Sequence, residues 1–308
     1  MSVIQTLFYN NPSSRYIAGG VPYIPGNGYG YHIFLEPGNF FVLNGPVTVE
    51  VLIVAGGGAG GTVSPRGGGG GAGGVRNITS IPLSDGYYPI SVGLGGIVGS
   101  NGNPSSAFGY TSTGGGQGSG KDTPASLTVY PGGSGGGGIY GPPTSLPAFP
   151  TRIGLGNVPP TTPPQGNPGG FGSAPTVSGI GGGGGGAGGS GSSSPGNAIF
   201  APGGPGVPIP AYAAPLFPGM PVDWITAVGP TGLFGGGGGG GSNSPAVGNS
   251  AGGPGGGGRG AGRTPPPSVD VLATPGVDYT GGGGGGKGRT SPAGSGGSGI
   301  VIVRYLNS

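Results

Sequence analysis

Val47-Thr48-Val49-Glu50-Val51-Leu52-Ile53-Val54-Ala55-Gly56-Gly57-Gly58-Ala59-Gly60-Gly61 contains both of the materials from which the chain is made. Its first half is rich in β-branched residues and reads as a strand. Its second half carries no side chain larger than a methyl group. The first material returns at the far end as Ile300-Val301-Ile302-Val303-Arg304-Tyr305. The second returns at residues 67–74, 114–120, 132–138, 181–191, 235–241, 252–262 and 281–288, interrupted mostly by Ala or Ser. The two strong strands bracket nearly all of this glycine, so their pairing would close the domain.

With 89 Gly and 37 Pro in 308 residues, the two types make up roughly 41% of the chain, well beyond the ~25–30% at which non-periodic chains become suspect as disordered. Disorder by charge repulsion does not fit, because only 6% of residues are charged. One glycine run would read as a flexible linker. Eight, separated by segments of different composition, read as repeated structural elements. The physical form open to them is a polyproline-II-type helix with three residues per turn, in which a seven-glycine run is a rod of roughly 20 Å. A lone rod loses more to chain ordering than it recovers, whereas neighbours supply backbone hydrogen bonds and Cα–H···O contacts. Bundling is therefore required. Collagen needs glycine at every third position, and these runs are contiguous.

The rest of the β material lies near the N-terminus. His32–Glu36 and Asn39–Leu43 flank Pro37-Gly38, which predicts a hairpin. Weaker strands are expected at Ile78–Leu83 and Tyr87–Val92, around Ser84-Asp85-Gly86. The expected fold is mostly irregular and β: a bundle of polyglycine-II helices clamped by a small antiparallel β-region. Residues 1–31 are expected to form an N-terminal arm or attachment segment, and 32–308 the glycine-rich domain, with its β-rich parts at 32–93 and 300–305.

Several function classes are poorly supported. There is no cysteine, which removes disulfides and thiol chemistry. No apolar stretch is long enough to span a bilayer, so no membrane insertion is expected. The N-terminus Met1-Ser2-Val3-Ile4-Gln5-Thr6 lacks the basic and apolar regions of a signal peptide, so synthesis in a host cytoplasm is expected. The ten cations are scattered, and no nucleic-acid contact is expected. Gly115–Lys121 matches the phosphate-loop spacing, but Asp122 stands where Ser or Thr should meet magnesium and no strand–loop–helix context surrounds it. His32 is the single histidine, in an apparent strand, and the carboxylates show no local pairing for acid–base work. Asp270 and Asp278 share a loop-like segment that falls short of the six to eight oxygens of a calcium site. The chain is expected to be no enzyme and to hold no cofactor or metal.

The informative residues lie between the runs. Ile199–Ile225 carries Phe200, Tyr212, Phe217 and the only tryptophan, Trp224, on a stretch stiffened by prolines. Tyr140 and Phe149 sit in a shorter insertion of the same kind. Aromatic groups on stiff loops suit a recognition surface. They equally suit lids that give a glycine bundle the apolar cover it lacks.

The segments Glu50–Gly58, Gly67–Val75, Ile90–Gly96 and Gly297–Tyr305, together covering a region from His32 to Tyr305, resemble the glycine-rich domain of phage tail and fibre proteins. The polyglycine runs are also similar to the tip adhesins of T-even-like phages. That resemblance implies a virion-surface protein, a tail-fibre or tip adhesin whose loops contact a host cell-surface glycan or outer-membrane protein. Tyr140, Phe149, Phe200, Tyr212, Phe217 and Trp224 are the candidate contacts. The other expectation is an architectural virion or filament subunit, a decoration or connector that touches other virion proteins, with homo-oligomer formation left open. A secreted ice-binding or cell-wall protein is a third class, disfavoured by the absence of regular triplets.

Overall fold

A computed structural model describes residues 15–62, 66–120, 130–138, 153–173, 179–194, 200–242, 249–263, 269–289 and 291–307. The chain is mostly irregular, with several small antiparallel sheets and little α-helix. Near the N-terminus run β1 (Tyr16–Ala18), β2 (Val21–Tyr23), β3 (Tyr29–Phe34), β4 (Gly38–Leu43), β5 (Val47–Val54), β6 (Val75–Leu83) and β7 (Gly86–Ile90). Two-strand pairs follow: β8 (Ser105–Ala107) with β9 (Tyr110–Ser112), β10 (Val207–Pro208) with β11 (Leu233–Phe234), and β12 (Gly262–Arg263) with β13 (Asp270–Val271). One short helix, α1 (Val222–Val228), and the last strand, β14 (Ile300–Leu306), complete the elements used below.

The last strand enters the middle of the main sheet, whose order is β2-β3-β14-β5-β6. Ile302 lies opposite Ile33 on one side and Leu52 on the other. The unbroken apolar runs of β5 and β14 are explained by cover on both faces. Leu52, Val54, Ile300 and Ile302 join one buried cluster, while Val51, Ile53, Val301 and Val303 join another. The second cluster fills the space beneath a three-stranded sheet of order β1-β4-β7. Opposite Arg304 on β14 stands Glu50 on β5, their side chains 2.8 Å apart.

Two expectations need correction. The strands around Pro37-Gly38 do not form a hairpin: β3 pairs with β2 and β14, and β4 pairs with β1 and β7. The turn instead hands the chain from one sheet to the other, which brings Phe34 and Phe40 into the same intersheet core. Nor are residues 16–31 a separate arm, since β1 and β2 each pair within a sheet; residues 1–14 lie outside the described ones. Of the four edge strands of the two larger sheets, β2, β6 and β7 carry Pro22, Pro82 and Pro89, each of which removes a donor and opposes edge-to-edge association, while β1 carries none.

His32 is buried between the sheets, its Nδ1 donating to the Gly19 carbonyl and its Nε2 accepting from the Tyr305 hydroxyl at 3.2 Å. Burial pushes its pKa below the ordinary 6.5, against the Gly19 bond, which pulls it up. The unfolded chain therefore takes up this proton first as pH falls, and stability conferred by the neutral ring is lost progressively below 6.5. A midpoint of thermal unfolding that declines from pH 7 towards 5.5, with a flatter profile for His32→Asn, is the expected result. Equal slopes in both proteins would refute this assignment.

The glycine segments are joined by a hydrogen-bond pattern that repeats every third residue. In the segment 67–74, the amides of Gly67, Gly70 and Gly73 donate to Lys287, Gly284 and Gly281. Those of Gly68, Gly71 and Gly74 donate to Ser119, Gly116 and Thr113, and those of Gly69 and Ala72 to Gly182 and Gly185. Its carbonyls accept in the same rhythm: from Gly241 and Gly238, from Gly61, Gly58 and Ala55, and from Gly137 and Ser134. The bonds measure 2.8 to 3.2 Å. One segment is thus wrapped by six others, all through backbone.

That closeness explains the composition. A Cβ placed on Gly69 would stand 2.0 Å from the Gly238 oxygen, and one on Gly71 2.3 Å from the Ser134 oxygen. Segments with mixed composition join the same network, among them 100–103, 166–170, 271–277 and 291–299. Two runs that look continuous in sequence instead fold back on themselves. Gly186 bonds Gly189 across one turn, and Gly257 bonds Gly253 across the other.

Candidate functional site

Each glycine segment has a sheet end and a far end, and the strands say which is which. β5 leads into 56–61 and the chain returns through 67–74 to β6, so Thr62 and Arg66 mark the far end. At the sheet end Ala55 bonds Gly74, Gly73 bonds Gly281, and Gly235, next to β11, bonds Thr280. At the far end Gly120 abuts Thr62, Ile180 pairs with Ser242, and Ser242 bonds Ala261. Gly288 packs against Ala261 and Ser242 there. Thr62, Arg66, Gly120, Gly179, Ser242 and Gly288 thus meet at this level, here named the tip end.

The side chains of this end are cationic and locally apolar. Arg66 precedes the first return segment and lies over Gly179. Lys287 is partly exposed, and its backbone bonds both Gly61 and Gly67. Arg289 is exposed two residues later. Arg263 closes β12 and pairs with Asp270 on β13 at 2.8 Å. Ile97 and Val98 sit on a turn that faces solvent with 76% and 50% of their surface, and Val269 borders 264–268 at 60%. The turn is placed by Ala59, whose amide bonds Ser100, and is held by Gly99 at φ +90.

Of the six expected contacts, the structure places one on the surface. Phe200 is 41% exposed, where its segment leaves 195–199. Tyr140 and Phe149 lie outside the described residues. Tyr212, Phe217 and Trp224 are buried to 1% exposure or less, which removes them as surface contacts. The reason is local: 3-10 turns at Pro210–Tyr212 and Ala214–Leu216, followed by α1, lay this stretch over the outer face of the main sheet. The rings of Tyr31 and Phe217 pack edge-on at 5.2 Å, and Phe217 meets Trp224 at 6.1 Å. The indole N–H donates to the Tyr279 carbonyl at 2.9 Å. Burial pushes the Tyr212 hydroxyl far above its ordinary pKa. These aromatics are the lid.

Sequence reasoning passed over Ile97 and Val98. The available signal was two β-branched residues in Gly95-Gly96-Ile97-Val98-Gly99, with no alternating pattern to bury them. Among the described residues there is no group of three or more His, Asp or Glu able to hold a metal ion. No described helix is long and apolar enough to cross a membrane.

A family model described as a glycine-rich domain matches residues 36–306. The chain belongs to the glycine-rich domain family. The match takes in the glycine segments, the aromatic lid and β14, and begins after β3. Within the glycine-rich domain so defined, β14 pairs with β5, and its other neighbour, β3, lies just ahead of the matched residues. No curated protein gives a significant match to the chain.

Proposed function

We propose that this glycine-rich domain is a phage virion surface protein, a tail-fibre or tip adhesin, in which polyglycine-II helices carry receptor-binding connections away from an anchoring β-region. The three-residue repeat of the hydrogen bonds supports the helix type, since that helix has three residues per turn and no internal bonds of its own. The observation that carries the function is the segregation of parts. Both larger sheets and the aromatic lid lie at one end, and the described rod ends at Thr62, Arg66, Gly120, Gly179 and Ser242 gather at the other. Loops on a rigid scaffold are free to vary in sequence without disturbing it. Such a division suits a protein held at one end and presenting the other.

The test is binding of the purified, folded chain to cells of susceptible bacterial hosts. Saturable binding that blocks phage adsorption is the expected outcome. Folded protein that binds none of the susceptible hosts would overturn the adhesin and favour an architectural subunit. The prolines on β2, β6 and β7 already disfavour a filament built by strand addition.

A further inference from the structure

We infer that the tip end binds an anionic surface polysaccharide, one whose repeat units carry carboxylate or phosphate groups; the inference rests on the adhesin reading and names its ligand class. The basis is the distribution of charge along the rods. At the sheet end the described charges are Arg15, Arg76 and Arg304 against Glu36, Glu50, Asp85, Asp223 and Asp278, three cations to five carboxylates, a net of −2. The whole chain carries +3, so all remaining residues together carry +5. Four of those cations, Arg66, Arg263, Lys287 and Arg289, stand at the tip end with one described carboxylate, Asp270.

Their arrangement is as informative as their number. Gly67 bonds Lys287 and Ala261 bonds Gly286, so the rods bearing Arg66, Lys287 and Arg263 are adjacent. Rod packing thus places these cations on neighbouring rods, with Lys287 and Arg289 at least partly exposed, Arg263 paired with Asp270, and Arg66 packed over Gly179. Charge carried on adjacent rods matches a polymer that repeats its charge along its length, and several weak ion contacts then act together. The polarity of the whole molecule also orients approach, because a net-negative sheet end is repelled by the surface that attracts the tips. An attraction of this kind is screened by salt.

The experiment uses the full chain over surfaces coated with polygalacturonate, poly(glycerol phosphate) or neutral dextran. Binding to at least one polyanion and not to dextran is expected, and the responding polymer tells carboxylate from phosphate. Raising salt from about 50 to about 500 mM should weaken binding at least ~tenfold. The double variant Lys287→Gln/Arg289→Gln should weaken it roughly fivefold at low salt without moving the melting midpoint, whereas Arg15→Gln should leave it unchanged. Equal loss in Arg15→Gln would show unlocalised attraction and overturn the inference. So would saturable binding to host cells that neither polyanion competes, or that protease treatment of the cells abolishes, although the adhesin itself would then stand. Failure to bind both cells and polymers would remove the adhesin reading as well.

Discussion

Trp224→Ala is expected to cost about 3–5 kcal/mol of stability, the usual range for emptying a large aromatic site in a core. The side chain is 1% exposed and lies between Phe217 and Phe234, with ring centroids 6.1 and 6.2 Å away. Its truncation leaves a cavity and also strands the Tyr279 carbonyl that now accepts the indole N–H. The consequence for function follows from position. Receptor binding by the fraction that remains folded, measured well below the melting midpoint, should match that of the parent protein. A variant that kept its midpoint and lost host binding would put Trp224 at the receptor and remove it from the lid.

The contrast between Trp224 and Ile97 shows how far the residues alone could lead. Strands at 47–54 and 300–305 were legible because β-branched runs of that length have few other uses. Their partners were not, since a period of two reveals a strand and is silent about its neighbours. The turn at Pro37-Gly38 was real, yet it joined two sheets and not two paired strands. Aromatic residues among prolines fit a lid and a recognition loop equally, and only the packing of Tyr31 against Tyr212 and Phe217 decides between them. The glycine runs announced close packing, but not where it starts or stops. Turns at 186–189 and 253–257 are hidden because a turn and a rod ask for the same residue. Conversely, Thr274 lies in a bonded segment, its hydroxyl accepting the Arg259 amide while nearby Leu272 is exposed, so glycine content undercounts the bonded segments.

Charge and shape point the same way. Glu50, held by Arg304, and the five-strand sheet around it sit where the chain needs rigidity. Lys287 and Arg289 stand at the tip end at least partly exposed, whereas Arg66 there is packed over Gly179 with its Nε and Nη1 buried. On the adhesin proposal, a scaffold stabilised through its backbone lets the sequence of its tip vary with the receptor.

The strongest test of that scaffold is Gly70→Ala. In an ordinary element this change is neutral or favourable, because alanine restricts the unfolded chain and costs nothing in side-chain entropy. Here the sign should reverse. A Cβ on Gly70 would lie 2.1 Å from the Gly58 oxygen and 2.7 Å from that of Ala59. Both belong to the backbone of an adjacent rod, and the Gly58 oxygen is itself bonded to the Gly284 amide at 2.9 Å. No flexible side chain is present to yield, so the rod must shift and pull on the network that binds it to its neighbours. A loss of about 3 kcal/mol or more is expected from this overpacking. Gly219→Ala provides the comparison, because nothing lies within 4 Å of its Cβ, and it should fall within about 0.5 kcal/mol of the parent. Equal melting midpoints for the two variants would mean that segment 67–74 is not enclosed by six neighbours, and the proposed polyglycine-II bundle would fall with it.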